Sequence, residues 1–382
     1  MIALGFRRFF ALESCIGFVG KALDKKQPLC YNEFAYNITK HRGFFTLFMY
    51  KHYTTPADDC QEVGANSSIE ILTDKTAKGK ERPWREKKMA NTLLSMAYED
   101  INERKSERLR DCGNYLSFAV LADGNKKLKH MSSCRVRLCP LCAWRRSLKV
   151  HAHTVQILDA MDGEYAFIFL TLTVRNCEAD ELSATIDSLM AGWQRLMQRK
   201  DVKTAVKGWY RGLEVTHNVD HKSKNYGTYH PHLHTLLCVN KSYFTDRTYL
   251  SKAAWTQLWM ESMRLDYEPI IDVRRVSGTT SQAVAEAAKY TVKDGDYILP
   301  DDWELTVDTV RILDAALDNR RLVAYGGLMK ELHKKLNLDD EVDGDLINVG
   351  DNDSEAAETE TTVDFFWHTG YQQYIVHNKE QG

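Results

Sequence analysis

The 382-residue chain lacks several features that would have decided its class at once. No run of about 18 apolar residues occurs, so no membrane-spanning helix and no membrane partner are expected. No segment repeats at a fixed period, which removes solenoid and propeller arrays. No G-x-x-x-x-G-K-[ST] pattern occurs, so the phosphate loop of an ATP-driven motor is absent. Between Asp339 and Asp364 there is no Lys or Arg, only eleven acidic residues among neutral ones. Such a block reads as a solvated, disordered tail spanning 339–382. A rarer alternative is competition with nucleic acid for the basic face. At the other end, Arg7 and Arg8 precede an apolar patch, but Glu13 interrupts it and no small-residue cleavage site follows. A cytoplasmic protein is therefore expected.

With the acid concentrated near one end, the remaining body is basic although the formal net charge is −2. A basic body suits a polyanionic partner. Nine cysteines in an intracellular chain point to thiols or metal rather than disulfides. Cys134, Cys139 and Cys142 stand within "CRVRLCPLC", and Cys112 lies upstream. The C-P-L-C pair has zinc-knuckle spacing, and four thiolates would complete a structural Zn²⁺ site. Buried free thiols are the bland alternative. Arg135, Arg137, Arg145 and Arg146 would give such a knuckle a phosphate-facing surface.

Hydrophobic periodicity divides the chain further. Residues 1–88 form an N-terminal extension of unknown role, ending in the charged run "DKTAKGKERPWREKK". A helix from Met89 and the cysteines occupy 89–155, and a basic amphipathic helix follows the knuckle. Over 160–300, "YAFIFLTLTV", "GWYRGLEVTH", "HPHLHTLLCV" and "IIDVRRV" read as strands. Apolar residues at helical spacing over 178–200 and 246–265 read as helices between them. The order β-α-β-β-α-β predicts an α+β, ferredoxin-like (split βαβ) antiparallel sheet with helices on one face. Another helix over 279–293 follows, then two helices around Gly326 and Gly327 in a helical region, 301–338.

"TYHPHLHTLLCV" sets His230, His232 and His234 at a two-residue period, one face of a strand. Glu214 in the preceding strand can reach the same face. Two imidazoles and a carboxylate with open positions suit a divalent ion that polarises phosphate oxygens. A solvent-facing histidine row is the competing explanation. His230 precedes Pro231 nearer the strand entrance and is the weaker ligand. His151 and His153 lie on a helix, where positions two apart diverge, so they should not share an ion.

In "AEAAKYTVKDGDY", Glu286 and Tyr290 are one helical turn apart, and Lys293 follows three residues later. A tyrosine hydroxyl can attack a phosphodiester once its proton is lost and the phosphate charge is offset, and a nearby cation serves both ends. The carboxylate could activate water on the same surface. A surface Glu beside a packing Tyr would look the same. Tyr297 is a second nucleophile candidate in a less fixed position.

Taken together, "CRVRLCPLCAWRR", "FLTLTVRN", "GWYRGLEVTHN", "HPHLHTLL" and "EAAKYTVKDGDY" resemble plasmid rolling-circle replication initiators (Rep), the single-tyrosine branch of the HUH endonuclease superfamily. The resemblance covers about residues 110–300. It implies His232 and His234 as the paired metal ligands, Glu214 as the third, Tyr290 as nucleophile and Glu286 as the residue for a final hydrolysis. It implies Mn²⁺ or Mg²⁺ as catalytic ion, and plasmid origin DNA, single-stranded or extruded as a hairpin, as substrate. Host helicase, polymerase and single-strand binding protein would be the partners. Rival readings are a relaxase or transposase of the same superfamily, a histidine-triad nucleotide hydrolase and a non-catalytic zinc-dependent DNA-binding regulator. The hydrolase leaves the knuckle and the Glu286–Tyr290 helix unexplained; the regulator leaves the histidine strand unexplained.

Overall fold

The computed structural model describes residues 37–41, 44–48, 70–76, 78–161, 163–276, 293–340, 343–351 and 356–376. The chain divides into two units, Met1–Ile69 and Glu70–Gly382. Within the first, β1 (Asn37–His41) and β2 (Phe44–Phe48) form an antiparallel pair.

The second unit contains two antiparallel sheets with helices. Around the cysteines lie α1 (Trp84–Ala97), α2 (Glu103–Asp111), β3 (Tyr115–Leu121), β4 (Lys126–Met131) and α3 (Pro140–Asp159). Helix α1 starts five residues before the expected Met89, because Trp84 is buried against Trp144 at 4.7 Å and its indole N–H donates to Asp74. The first turn is therefore held by packing that charge-counting does not reveal. Pro140 opens α3, where a missing N–H costs nothing.

Next come β5 (Tyr165–Thr173), α4 (Leu182–Gln198), α5 (Lys200–Ala205), β6 (Val206–His217), β7 (Tyr229–Asn240), α6 (Lys252–Met263) and β8 (Ile271–Arg275). Then follow α7 (Trp303–Leu317), β9 (Val323–Gly327), α8 (Leu328–Lys335), β10 (Glu358–His368) and β11 (Gln373–Val376). Strands β8-β5-β7-β6-β9 form one sheet and β11-β10-β3-β4 the other. In the five-stranded sheet β5 and β6, joined through α4, are separated by β7, which pairs with both.

Alternation sorts the side chains of this sheet. Ile168, Leu170, Leu172, Leu213, Val215, Leu233 and Leu237 pack in one core with Leu189 and Trp193 of α4 and Trp255 and Trp259 of α6. Phe169, Tyr210, Leu236 and Cys238 face the other way, against Val150, Ile157 and Leu158 of α3 and Met329 of α8. Helices thus cover both faces, not one as expected, because the apolar stripe of α3 finds its partner here.

Two further expectations are corrected. Helices α7 and α8 stand on either side of Gly326 and Gly327, but the glycines themselves lie in strand β9 between them; Gly326 lies opposite Trp209, whose ring occupies the space a side chain would need. The acidic region is not a solvated tail. Val363, Phe365 and Trp367 are apolar positions at period two on β10, beside β3, and they join the core together with Tyr374 of β11. Upstream of β10, the Arg145 guanidinium donates to the carbonyls of Leu346 and Ile347 and pairs with Asp351 at 2.5 Å. Lys149 pairs with Asp339 at 2.5 Å. The excess acid answers buried cations of the same chain.

Candidate functional site

The β6–β7 hairpin sets the geometry. Its register puts Glu214 directly opposite His232, and His234 lies two residues further along the same face. All three are nearly buried. Glu214 Oε2 lies 2.7 Å from His234 Nε2 and 3.5 Å from His232 Nε2, and the two Nε2 atoms are 3.1 Å apart. One ligand atom from each residue falls within 4.8 Å of the others. Burial pushes the Glu214 carboxyl upward, but hydrogen bonds and charge from His232 and His234 outweigh it and hold it well below the usual carboxylate range.

The ring orientations are supported from behind. His232 Nδ1 donates to the His230 carbonyl at 3.1 Å, so in the neutral ring Nε2 keeps its lone pair. His234 Nδ1 lies 3.3 Å from the Thr171 hydroxyl on β5, and its ring stacks on Phe169 at 5.7 Å. Arg274 of the edge strand β8 places its guanidinium 5.2 Å from the same Phe169 ring. Phe169, Thr171 and Arg274 were not singled out from sequence; the period-two alternation of β5 would have found the first two. His230 turns away and bonds the Val174 carbonyl at 3.0 Å, consistent with its weaker claim as a ligand.

Lys293 brings a cation to this group, with Nζ 3.7 Å from Glu214 Oε1. The turn after it is anchored at three points. Asp294 pairs with Lys87 at 2.7 Å, His217 Nδ1 donates to the Asp296 carbonyl at 3.3 Å, and the Tyr297 hydroxyl donates to the Leu138 carbonyl at 2.6 Å. Tyr297 is fully buried, and burial pushes its phenol well above the ordinary range. It is a structural residue rather than a second nucleophile. Glu286 and Tyr290 lie outside the described residues.

The second constellation is closed. The Sγ atoms of Cys112 and Cys139, and of Cys112 and Cys142, are 3.6 Å apart, and those of Cys134 and Cys142 are 3.8 Å apart. A tetrahedron with Zn–S of about 2.3 Å has S···S edges of about 3.8 Å. Backbone N–H groups of Cys134 and Val136 and the Asn91 side-chain amide point at three of the sulfurs. The buried Lys88 ammonium beside them donates to the Cys112 carbonyl at 2.6 Å and supplies a compensating charge. The donor set fits a structural metal. Of the four arginines expected to make a phosphate-facing surface, Arg145 is instead buried on Asp351, while Arg135 donates to the Asp343 carbonyl and Arg137 to the Arg320 carbonyl. His153 sits against Asp339 at 3.3 Å, apart from both groups.

Among the described residues no helix is long and apolar enough to cross a membrane. Residues 125–375 match the family described as Replication protein. That match takes in more than half of the sequence, and the chain belongs to this family. A "Protein rep" from Bacillus amyloliquefaciens is 41% identical over 344 residues, covering 82% of this chain and 99% of that protein. Another from Streptococcus pneumoniae serotype 2 is 36% identical over 322 residues, 81% of this chain and 96% of that protein. A "Replication protein" from Staphylococcus aureus is 36% identical over 218 residues, 55% of this chain and 90% of that one. No solved structure matches the chain.

Proposed function

We propose that this chain is a plasmid rolling-circle replication initiator that nicks and rejoins one origin strand through a 5′-phosphotyrosine on Tyr290. One observation carries the reading: Glu214, His232 and His234 converge on one point of a rigid sheet, and Lys293 stands at that point. The strand order β8-β5-β7-β6 supports a ferredoxin-like HUH nickase domain over 160–300, to which β9 adds a fifth strand. The Cys112, Cys134, Cys139 and Cys142 set supports a structural Zn²⁺ module beside it.

His232, His234 and Glu214 would hold Mn²⁺ or Mg²⁺, which supplies Lewis acidity toward a non-bridging oxygen of the scissile phosphate when bound. The chain's own groups do the rest. Tyr290 gives its phenolic proton to water and attacks phosphorus; its oxygen forms the new P–O bond as the bond to the 3′ oxygen breaks, and that oxygen takes a proton from water to leave as the 3′-hydroxyl. Lys293 offsets charge on the phosphate and lowers the cost of ionising the phenol. The phosphotyrosine conserves the phosphoester energy, so a 3′-hydroxyl can later reverse the step without ATP. Glu286 activates water for the cut that ends a round.

The test is incubation with a labelled single-stranded origin oligonucleotide and Mn²⁺, then mass spectrometry for a tyrosine–DNA adduct. The adduct is expected on Tyr290, and Tyr290→Phe should abolish nicking of supercoiled origin plasmid while DNA binding survives. Normal nicking by that variant moves the nucleophile elsewhere. Cleavage that survives a chelator would instead favour a metal-free histidine nucleophile.

A further inference from the structure

The back of the sheet carries a groove that the nicking reaction does not use. Alternation along β6 points Glu214 toward the histidines and sends Trp209 and Arg211 to the opposite face. Because β9 extends the sheet past β6, helix α4 leaves a channel open at its flank. Trp193 and Arg195 line it from α4, Arg199 from just beyond the end of that helix, and Trp209, Arg211 and Ala324 from the strands. Its volume is about 790 Å³. That is space for one or two nucleotides, within the usual range for ligand sites.

Three arginines and no carboxylate line this groove. Arg195 donates to the Ser262 carbonyl at 2.5 Å, and Arg199 pairs with Glu261 at 2.5 Å, so both are braced by α6. Arg211 is different. It is only 7% exposed, donates to the Arg321 carbonyl at 3.1 Å and points another nitrogen at the Met190 sulfur, while its buried Nε has no hydrogen-bond partner. A buried guanidinium is ordinarily matched by an anion, since removing it from water unpaired is costly. Beside it Trp209 is held edge-on to Trp193 at 5.2 Å and lies on the bare backbone of Gly326, where any Cβ would collide with the indole. The half-buried indole is thus a fixed wall of the groove.

We propose that this groove binds single-stranded DNA, with a phosphate on Arg211 and a base against Trp209, on the face of the sheet opposite the nick site. Arg195 and Arg211, neither of them paired with a carboxylate, beside a rigid aromatic ring are the elements of sequence-tolerant single-strand binding. The choice of DNA strand as occupant rests on the nicking reading; the need of Arg211 for an anion does not. The strand would be gripped on both sides of the sheet, keeping one end in hand while the other is joined to Tyr290.

The probe is a twelve-residue oligothymidylate, titrated in chelator so that the histidine site plays no part. Arg211→Gln should weaken binding about tenfold and lower the dependence of log K on log salt by about 0.7. Arg195→Ala, closer to the surface, should weaken it severalfold. An oligonucleotide carrying 5-iodouracil should photocross-link to the peptide containing Trp209. Unchanged affinity in both variants, cross-links confined to peptides of β5 and β7, or equal competition by inorganic phosphate would each overturn the proposal. If Arg211→Gln melts early, Arg195→Ala and the cross-link map decide. Loss of oligonucleotide binding in a protein that forms no tyrosine adduct would sink the nickase and leave the groove standing; an adduct with normal binding by both variants would do the reverse.

Discussion

The two metal-ready clusters differ in how they are closed. The four cysteines are sealed, at most 5% exposed, and come from the end of α2, the loop after β4 and the start of α3. Glu214, His232 and His234 come from one hairpin whose register alone already fixes them, and they offer three ligands rather than four. Four buried ligands leave no room for a substrate, which marks a structural centre; three on a preformed sheet leave positions free for chemistry. Folding would therefore depend on the first and turnover on the second.

Mutations at the two clusters should separate accordingly. Cys139→Ser should cost more than about 5 kcal/mol and unfold the α1–α3 region, read as a collapsed melting transition together with loss of bound zinc. His234→Ala should cut metal-dependent nicking about a thousandfold or more while melting moves far less, read by plasmid relaxation and calorimetry. Were the two variants to swap phenotypes, the assignment of roles would be inverted. Glu286→Ala should nick normally but release few monomer circles; an unchanged yield would remove it from termination. The smallest effect is expected from Tyr297→Phe, about 1 kcal/mol of stability from the lost bond to the Leu138 carbonyl, with nicking intact.

Much of the site was legible because its chemistry is also its periodicity. A histidine on every second residue of a strand shares a face whatever surrounds it, and a hairpin partner with one inward carboxylate completes the set. The cysteines were legible for a related reason, since thiolate spacing is dictated by the ion. Less local features were hidden. Gly326 and Gly327 suggest a turn between helices; the indole of Trp209 across the strand pair explains the first, and a positive φ beside the Lys207 carbonyl explains the second. In the acidic region, charge masks the alternate apolar residues that make β10 a strand, and the answering cations, Arg145 and Lys149, lie nearly 200 positions away. Composition measures what a segment carries, not what it meets.

Strand β10 also sets an order of events. Thr359 bonds to the Val120 carbonyl across 239 positions of sequence, and β10 holds β3 between itself and β4. Such remote pairing is slow to form and cannot begin until Glu358–His368 has left the ribosome. The cysteine module thus completes its sheet only after β10 and β11 have been made, whereas strands β5 to β8 are made earlier. A product ending before β10 would carry the histidine hairpin of β6 and β7 while the four-stranded sheet beside the cysteines stayed unfinished.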